Sequence, residues 1–193
     1  MPAGAGPGAG VRVRLVTEDD APAVTELLRT SREHLAPWEP VRPDDYATEA
    51  FQRRALGEAL DVHAQGRGVP LVITADGAVV GRISVNDVVR GAFQSAHLGY
   101  WVGAAHTGRG VAGAAVAQVV RLAFDELGLH RLQADTLVHN AASRAVLARN
   151  GFEPIGVAPR YLRIAGRWQD CVLHQRITDR DGVVAPPAGR TPS

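Results

Sequence analysis

An apolar run that enters a glycine-rich turn and continues as an amphipathic segment, over residues 98–127, constrains the fold most. In the amphipathic segment, apolar residues recur every three or four positions and form two adjacent stripes, as in a helix with a wide buried face. The stripes are Val111, Ala115, Val119 and Leu122, and Val116, Val120, Ala123 and Leu127. Gly128 then stands where a left-handed cap residue is expected. The stretch predicts a strand, a turn, and a helix over residues 110–127.

The turn places the helix N-terminus at its glycines, Gly108 and Gly110. Unpaired backbone N–H groups and the positive end of the helix dipole converge there, so a phosphate or pyrophosphate is the natural ligand. Glycine-rich turns are also ordinary connections in α/β proteins, and a turn without a ligand fits the same residues.

Two nucleotide-binding motifs share part of this pattern. Gly108, Gly110 and Gly113 match a dinucleotide fingerprint, but that fingerprint opens the first unit of a parallel sheet, whereas this turn lies past the middle of the chain. Gly103 and Gly108 have P-loop spacing, but Arg109 and Gly110 replace the Lys and Ser/Thr that hold phosphate and magnesium. Neither motif is therefore expected to function here.

Length and charge narrow the classes of protein. With 193 residues, 46% of them hydrophobic, the chain can bury one substantial core, and we expect one domain over residues 11–178. Residues 1–10 and 179–193 have the composition of a disordered lead and a flexible tail. A net charge of +1 provides no field for nucleic acid or an anionic membrane. A lone cysteine, Cys171, and the absence of a secretory signal or a membrane-length apolar run favour a cytoplasmic protein.

Along the chain, hydrophobic periodicity predicts a mixed α/β fold with the order β-α-α-β-β-β-α-β-α-β-β. Thr17 and Asp20 form a capping-box pattern before the first helix. The three strands before the central turn follow one another as an antiparallel meander, which argues independently against a dinucleotide-binding domain. The predicted strands cover residues 11–15, 71–73, 79–85, 98–102, 131–136, 155–157, 161–164 and 171–177, and the other helices cover about residues 44–65 and 140–150. The apolar residues expected to face the core are Ala23, Val24, Leu27 and Leu28 in the first helix, Phe51, Ala55 and Ala59 in the second, and Ala142, Val146 and Leu147 in the last.

Two motifs together resemble a known family. The six residues 107–112, Thr-Gly-Arg-Gly-Val-Ala, resemble the acyl-coenzyme A pyrophosphate loop Arg/Gln-x-x-Gly-x-Gly/Ala of the GCN5-related N-acetyltransferases (GNAT), with Thr107 in place of Arg/Gln. One strand later, Asn140-x-x-Ser143 followed by Gly151-Phe152 resembles the second motif of that family. The resemblance implies the GNAT fold and acetyl-CoA as cosubstrate, without a metal.

Further stretches, at residues 34–40, 86–93, 98–100 and 161–170, resemble the RimJ branch, bacterial enzymes that acetylate the N-terminal alanine of a ribosomal protein. This likeness implies acetyl transfer to the α-amine of a protein or peptide N-terminus, with alanine or serine as the acceptor residue and a ribosomal protein as a candidate acceptor. We expect no nucleic-acid or membrane partner, and a monomer or a homodimer.

The resemblance also implies roles for individual residues. Many relatives use a tyrosine to protonate the departing thiolate, but Leu147 stands at that position, so the role passes to Ser143; a serine capping its own helix is the alternative. Glu39 and His97 are candidate bases for the acceptor ammonium, and Trp38, Glu39 and Asn86 are candidate acceptor contacts. Trp38 could equally be a lid over the core. The implied coenzyme-binding residues are Tyr100, Trp101, Val102, Thr107, Gly108, Arg109, Gly110, Val111, Ala112, Asn140 and Ser143.

Two other functions remain open at this point. A small-molecule amine acetyltransferase, acting on an antibiotic or a polyamine, would share the coenzyme motifs. A coenzyme A-binding module that has lost turnover would fit the replacements at Thr107 and Leu147.

Overall fold

A computed structural model describes residue 8 and residues 10–178 of the chain. The predicted tail over residues 179–193 and most of the predicted lead over residues 1–10 lie outside this range. The strands are β1 (Val11–Leu15), β2 (Val69–Ala75), β3 (Ala78–Val89), β4 (Ser95–Val102), β5 (Arg131–Leu137), β6 (Glu153–Ile164) and β7 (Arg167–Ile177). The α-helices are α1 (Ala21–Thr30), α2 (Arg32–Leu35), α3 (Glu49–Ala64), α4 (Val111–Arg121) and α5 (Ala141–Arg149).

The strands form one seven-stranded sheet in the order β1-β2-β3-β4-β5-β7-β6. Neighbouring strands are antiparallel except for β4 and β5, which are parallel. The parallel pair arises because α4 crosses from the end of β4 back to the start of β5. The mixed α/β fold and the predicted order of the main elements are therefore confirmed, with the short helix α2 in addition.

Each face of the sheet is covered by helices. One apolar cluster joins the sheet to α4 and includes Val116, Val119 and Leu132, all fully buried. The other joins the opposite face to α1 and α3 through Val24, Leu28 and Leu56. Because side chains alternate along a strand, neighbouring residues of β4 serve different layers: Tyr100 packs with the α4 cluster and Trp101 with the α1–α3 cluster.

The long helix after the turn follows its predicted pattern and departs from it at its C-terminal end. Val111, Ala115, Val116, Val119 and Val120 are buried, as the stripes predicted. The α-helix ends at Arg121, and residues 122–126 form a π-helical turn in which Leu127 N–H donates to the carbonyl of Leu122. Gly128 has a φ of +62°, which fits the predicted left-handed cap.

Three other helices depart from their predicted inner faces at single residues or, in α3, along most of the face. In α3, which begins after the N-cap Thr48 and not near residue 44, the buried residues are Gln52 and Leu56. A buried glutamine cannot be expected from hydrophobic periodicity; here its Nε2 donates to the Tyr46 carbonyl at 2.7 Å. In α1, Thr25 is buried and Ala23 exposed, and in α5 Ala142 is exposed.

The final hairpin is longer than predicted. β6 is one strand and not two, because irregularities in its pairing with β7 near Pro154 and between Ala158 and Leu162 interrupt the alternating pattern without ending the ladder. The connecting turn at Ala165 and Gly166 has φ values of +49° and +79°, which suit the twist of a tight hairpin.

Gly81 is the position on β3 where a side chain has least room, and we expect Gly81→Ala to destabilise the fold. A Cβ there would lie 2.4 Å from the Trp101 carbonyl oxygen, so β3 and β4 would have to separate. We expect a loss of about 2 kcal/mol in the free energy of unfolding, measured by denaturant titration. Gly156→Ala is the matched control, since a Cβ there meets nothing within 4 Å. Equal stability of the two variants would contradict the close approach of the strands.

Within the described residues, no helix combines the length and the apolar character that crossing a bilayer requires.

Candidate functional site

The two central strands separate after a short ladder. β4 and β5 pair in parallel only over Ser95, Ala96 and His97 on the β4 side, although β4 continues to Val102. On its other edge, β4 stays paired with β3 as far as Val102. The backbone edge of residues 98–102 that faces β5 therefore extends beyond the ladder, and an extended ligand can pair with it there.

The turn after β4 leads from this edge to the N-terminus of α4. Gly108 and Gly110 have φ values of +73° and +77°, a region that favours glycine, and Gly110 is the N-cap residue. The first intrahelical bond runs from Ala114 N–H to the Gly110 carbonyl, and no side chain caps the helix. The free N–H groups at the start of α4, together with the exposed turn of residues 107–110, form a cradle that fits a pyrophosphate.

The side chains of this turn act differently from the backbone. The hydroxyl of Thr107 donates to the Ala104 carbonyl at 2.9 Å, so it stabilises the turn itself. Val111 is buried in the core, and only its backbone belongs to the cradle. Ser31, which the sequence did not single out, accepts the Ala104 N–H at 3.0 Å and joins α1 to the turn.

Ser143 and Tyr100 meet where β4 faces the start of α5. Their hydroxyl oxygens lie 2.7 Å apart, and Tyr100 also lies within donating distance of the Ser143 carbonyl, at 3.3 Å. Burial raises the pKa of Tyr100 to about 12, so it stays neutral and keeps its proton, although the bond to Ser143 acts in the opposite direction. The side chain of Ser143 therefore does not cap its own helix, which was the alternative to a catalytic role.

Asn140 is the residue that caps this helix. Its Oδ1 accepts the Ser143 N–H at 3.0 Å, and this bond fixes the first turn of α5. Asn140 thereby orients the backbone that presents the Ser143 hydroxyl to Tyr100.

A cleft of about 540 Å³ opens on the α1–α3 face of the sheet. Trp38 and Glu39, both predicted to contact the acceptor, lie in its wall together with Tyr100 and Trp101. The charged residues of the wall are Glu39, Arg42 and Arg82. The cleft meets the free edge of β4, since residues 99–101 belong to both.

The loop that carries Trp38 reaches across the cleft to the C-terminal half of the chain. The Trp38 ring lies 5.4 Å from the ring of His139, which precedes α5. The carbonyl of Glu39 accepts the Ala165 N–H at 3.0 Å from the β6–β7 turn. These two contacts form one rim of the cleft, and Trp38 is still 37% exposed, so a ligand can reach part of its side chain.

His97 lies where β4 and β5 begin to separate. Ala96 and Leu98 point into the α4 cluster, so His97 points to the opposite face, which is the face of the cleft. Its Nδ1 lies 3.5 Å from Asp135 Oδ2, and hydrogen bonding to that carboxylate raises the pKa of His97 against the effect of burial. Asn86, on β3, pairs with His97 and is exposed. Neither His97 nor Asn86 lines the cleft itself, although both share its face.

The Tyr100 hydroxyl and the Arg82 side chain, like Ser31, could not be assigned to the site from the sequence. The sequence indicated Tyr100 as a backbone contact for the coenzyme, but its hydroxyl position depends on α5, 43 residues further along the chain. Arg82 alternates with Gly81 and Ile83 on β3, so its face was predictable, but the cleft on that face was not.

The part of the chain that the structure describes contains no group of three or more His, Cys, Asp or Glu side chains placed to hold a metal ion.

Comparison with known proteins agrees with this geometry. Residues 11–153 match the family described as Acetyltransferase (GNAT) domain. The chain is 34% identical over 163 residues to the ribosomal protein uS5-alanine N-acetyltransferase of Escherichia coli, covering 83% of this chain and 84% of that protein. Mycobacterium smegmatis RimJ, solved in complex with CoA-disulfide, aligns with a TM-score of 0.87 at 35% identity, covering 90% of this chain and 84% of that one. The ribosomal-protein-S5-alanine acetyltransferase of Vibrio fischeri aligns with a TM-score of 0.84 at 30% identity, covering 88% and 94%.

Proposed function

The chain belongs to the GNAT acetyltransferase family, and we propose that it transfers acetyl from acetyl-CoA to the α-amine of a protein N-terminus that begins with alanine or serine. The observation that carries the proposal is the cleft beside β4, which lies against the free edge of that strand. An acceptor in the cleft would lie next to a thioester held along this edge. A ribosomal protein is the proposed acceptor, because the E. coli and V. fischeri relatives are named for that activity. A cytoplasmic location follows from such an acceptor.

The coenzyme would be held by backbone more than by side chains. The N–H groups from Gly110 onward would bind the pyrophosphate, and the free edge of residues 100–102 would pair with the pantetheine arm. Arg109 is exposed beside the cradle and adds positive charge. Acetyl-CoA supplies the activated acetyl group, and this chain supplies its position relative to the amine.

Ser143 would protonate the thiolate that leaves. When Tyr100 donates to the Ser143 oxygen, the serine proton is free to point at the sulfur, and the tyrosine proton can follow it. Asn140 keeps Ser143 in place through the α5 cap. Leu147, at the position where many relatives have the tyrosine, is fully buried and packs in the core.

The acceptor arrives as an ammonium ion, so a base must take its proton. We propose His97 for this role, because it lies at the point where β4 and β5 separate and its partner Asp135 stabilises the charged imidazolium. Glu39 is the competing base; it lines the cleft, but its Oε2 lies 3.3 Å from Arg42 Nε, so the carboxylate is already engaged in an ion pair.

We expect Asp135→Asn to move the acidic limb of the kcat/KM profile to lower pH. Asp135 raises the pKa of His97, so its removal lowers that pKa, and the neutral imidazole is then present at lower pH. Histidine resonances followed by NMR give the pKa, and initial rates give the limb. Asp61→Asn, an exposed change on α3, is the control. If the His97 pKa falls and the limb stays in place, His97 is not the base, and Glu39→Gln becomes the next variant to measure.

Initial rates with a panel of acceptors test the proposed function. The panel contains otherwise identical peptides that start with Ala, Ser, Gly or Leu, together with a polyamine and an aminoglycoside. We expect the Ala and Ser peptides to have the highest kcat/KM. Transfer to the small amines alone would assign the chain to small-molecule acetylation, and coenzyme binding without transfer would make it a binding module.

The proposed reaction needs no second subunit, because every residue named here lies in one chain. A monomer or a homodimer is therefore compatible with the proposed function.

A further inference from the structure

Arg82 is a cation in the wall of the cleft that no other described residue neutralises. It is half-buried on β3, opposite Trp101 on β4, and its side chain faces the cleft. Within residues 10–178, no hydrogen bond or ion pair joins its guanidinium to another side chain. A guanidinium has five donors, and a partly buried one is costly to leave unpaired.

The groups around Arg82 do not supply the missing partner. Burial lowers the pKa of Arg82, Arg42 acts in the same direction, and Tyr46 and Asp20 act against them. Asp20 is already held by Arg14, through bonds of 2.6 and 2.8 Å, and it does not line the cleft. Glu39 pairs with Arg42, whose guanidinium also lies 4.5 Å from the centre of the Tyr46 ring.

The cleft wall therefore has two arginines and one glutamate, and its unmatched charge lies at Arg82. The amine that reacts is positive, so this charge does not serve to attract it. An arginine beside an acceptor site suits a carboxylate, which it can bind through two parallel N–H···O bonds.

We propose that Arg82 selects acceptors with an acidic side chain at the second, third or fourth residue, by binding that carboxylate in the cleft. The inference rests on the proposed function, since it places the α-amine near Gly99, which lies on the free edge of β4 and also lines the cleft. Ser84 lies opposite Gly99, and Arg82, two residues before Ser84 on β3, lies opposite Trp101. Two residues span about 7 Å, and an extended peptide from the amine covers that distance within its first residues.

Matched peptides test the selection. Alanine-starting hexapeptides carry Asp at position two, three or four, and each is compared with its Asn counterpart, so that only the charge differs. We expect at least one Asp peptide to exceed its Asn counterpart about tenfold in kcat/KM, mainly through KM. In Arg82→Met we expect this ratio to fall to about one while the Asn peptide is still acetylated, and in Arg82→Lys part of the ratio should return.

Arg12→Met is the matched control, because Arg12 is an exposed arginine on the edge strand β1 and does not line the cleft. It should keep the full ratio. The ratio is measured within each variant, so a loss of folded protein does not change it.

Three results would count against the inference. Equal rates with Asp and Asn peptides at all positions would overturn it while leaving the proposed function intact. A ratio that survives Arg82→Met would place the acid-binding group elsewhere and would also overturn it. Failure to acetylate any peptide would remove both proposals together.

Discussion

Gly108→Asp is expected to weaken acetyl-CoA binding about 100-fold, a loss of roughly 3 kcal/mol. The substitution places a carboxylate in the exposed turn beside the free N–H groups of α4, where the proposal puts the pyrophosphate. The carboxylate would repel the negatively charged pyrophosphate, and it could also accept hydrogen bonds from the N–H groups that the pyrophosphate would use.

Gly108→Asn isolates this charge effect. Gly108 has a φ of +73°, and a Cβ there meets nothing within 4 Å, so both side chains have space. Asp and Asn also tolerate the left-handed region comparably. We expect the Asn variant to bind within about fivefold of the parent chain, with both affinities measured by calorimetry.

Acetyl-pantetheine, which lacks the pyrophosphate, is the second control for Gly108. We expect its kcat/KM to be the same with the Asp and the Asn variants. If the two variants bound acetyl-CoA equally well, the pyrophosphate would not lie at this turn, and the assignment of the cradle would be wrong.

Ser143→Ala is expected to lower kcat about 100-fold and to leave coenzyme affinity nearly unchanged. The hydroxyl that would protonate the thiolate is lost, whereas the α5 cap remains, because Asn140 bonds to the Ser143 backbone and not to its side chain. Tyr100→Phe should lower kcat less, about tenfold. In that variant Ser143 can still give its own proton to the thiolate, and only the Tyr100 hydroxyl that would return a proton to Ser143 is lost.

Varying the acidity of the thiol that leaves tests the role of Ser143 more sharply than kcat with acetyl-CoA alone. An acetyl thioester of a more acidic thiol needs less protonation as it departs, so the deficit of Ser143→Ala should shrink with such a donor. Single-turnover rates with acetyl-CoA and with an activated thioester measure this difference. A deficit that is the same for both donors, or one that appears only in affinity, would remove Ser143 from the chemical step.

Hydrophobic periodicity was informative where one face of an element meets the core. The α4 stripes were predicted because apolar residues such as Val111, Ala115 and Val119 repeat every four positions, and these three residues are all buried. The meander from β2 to β4 was predicted for a similar reason, since the apolar residues that mark each strand are a local signal.

Periodicity failed where a polar group is buried or where a helix borders the cleft. Gln52 is buried because the Tyr46 carbonyl accepts its amide, and no pattern of apolar residues indicates that. Phe51 and Ala55, which were expected to form the inner face of α3, line the cleft instead.

The site was predictable as motifs but not as an arrangement. The glycine turn and the Asn140–Ser143 pair could be located from spacing, because each is local. The bond between Tyr100 and Ser143 and the contact of Trp38 with His139 join distant segments, and only the folded chain brings them together. Their roles in turnover stay predictions until the variants are measured.

The position of the transferred acetyl group tests the central proposal most directly. A peptide that starts with alanine and contains one internal lysine is incubated with acetyl-CoA labelled in the acetyl group, and tandem mass spectrometry locates the label. We predict the label on the α-amine of the alanine and none on the lysine. Label on the lysine alone, or on a small amine added as competitor with none on the peptide, would contradict the proposal that this chain acetylates protein N-termini.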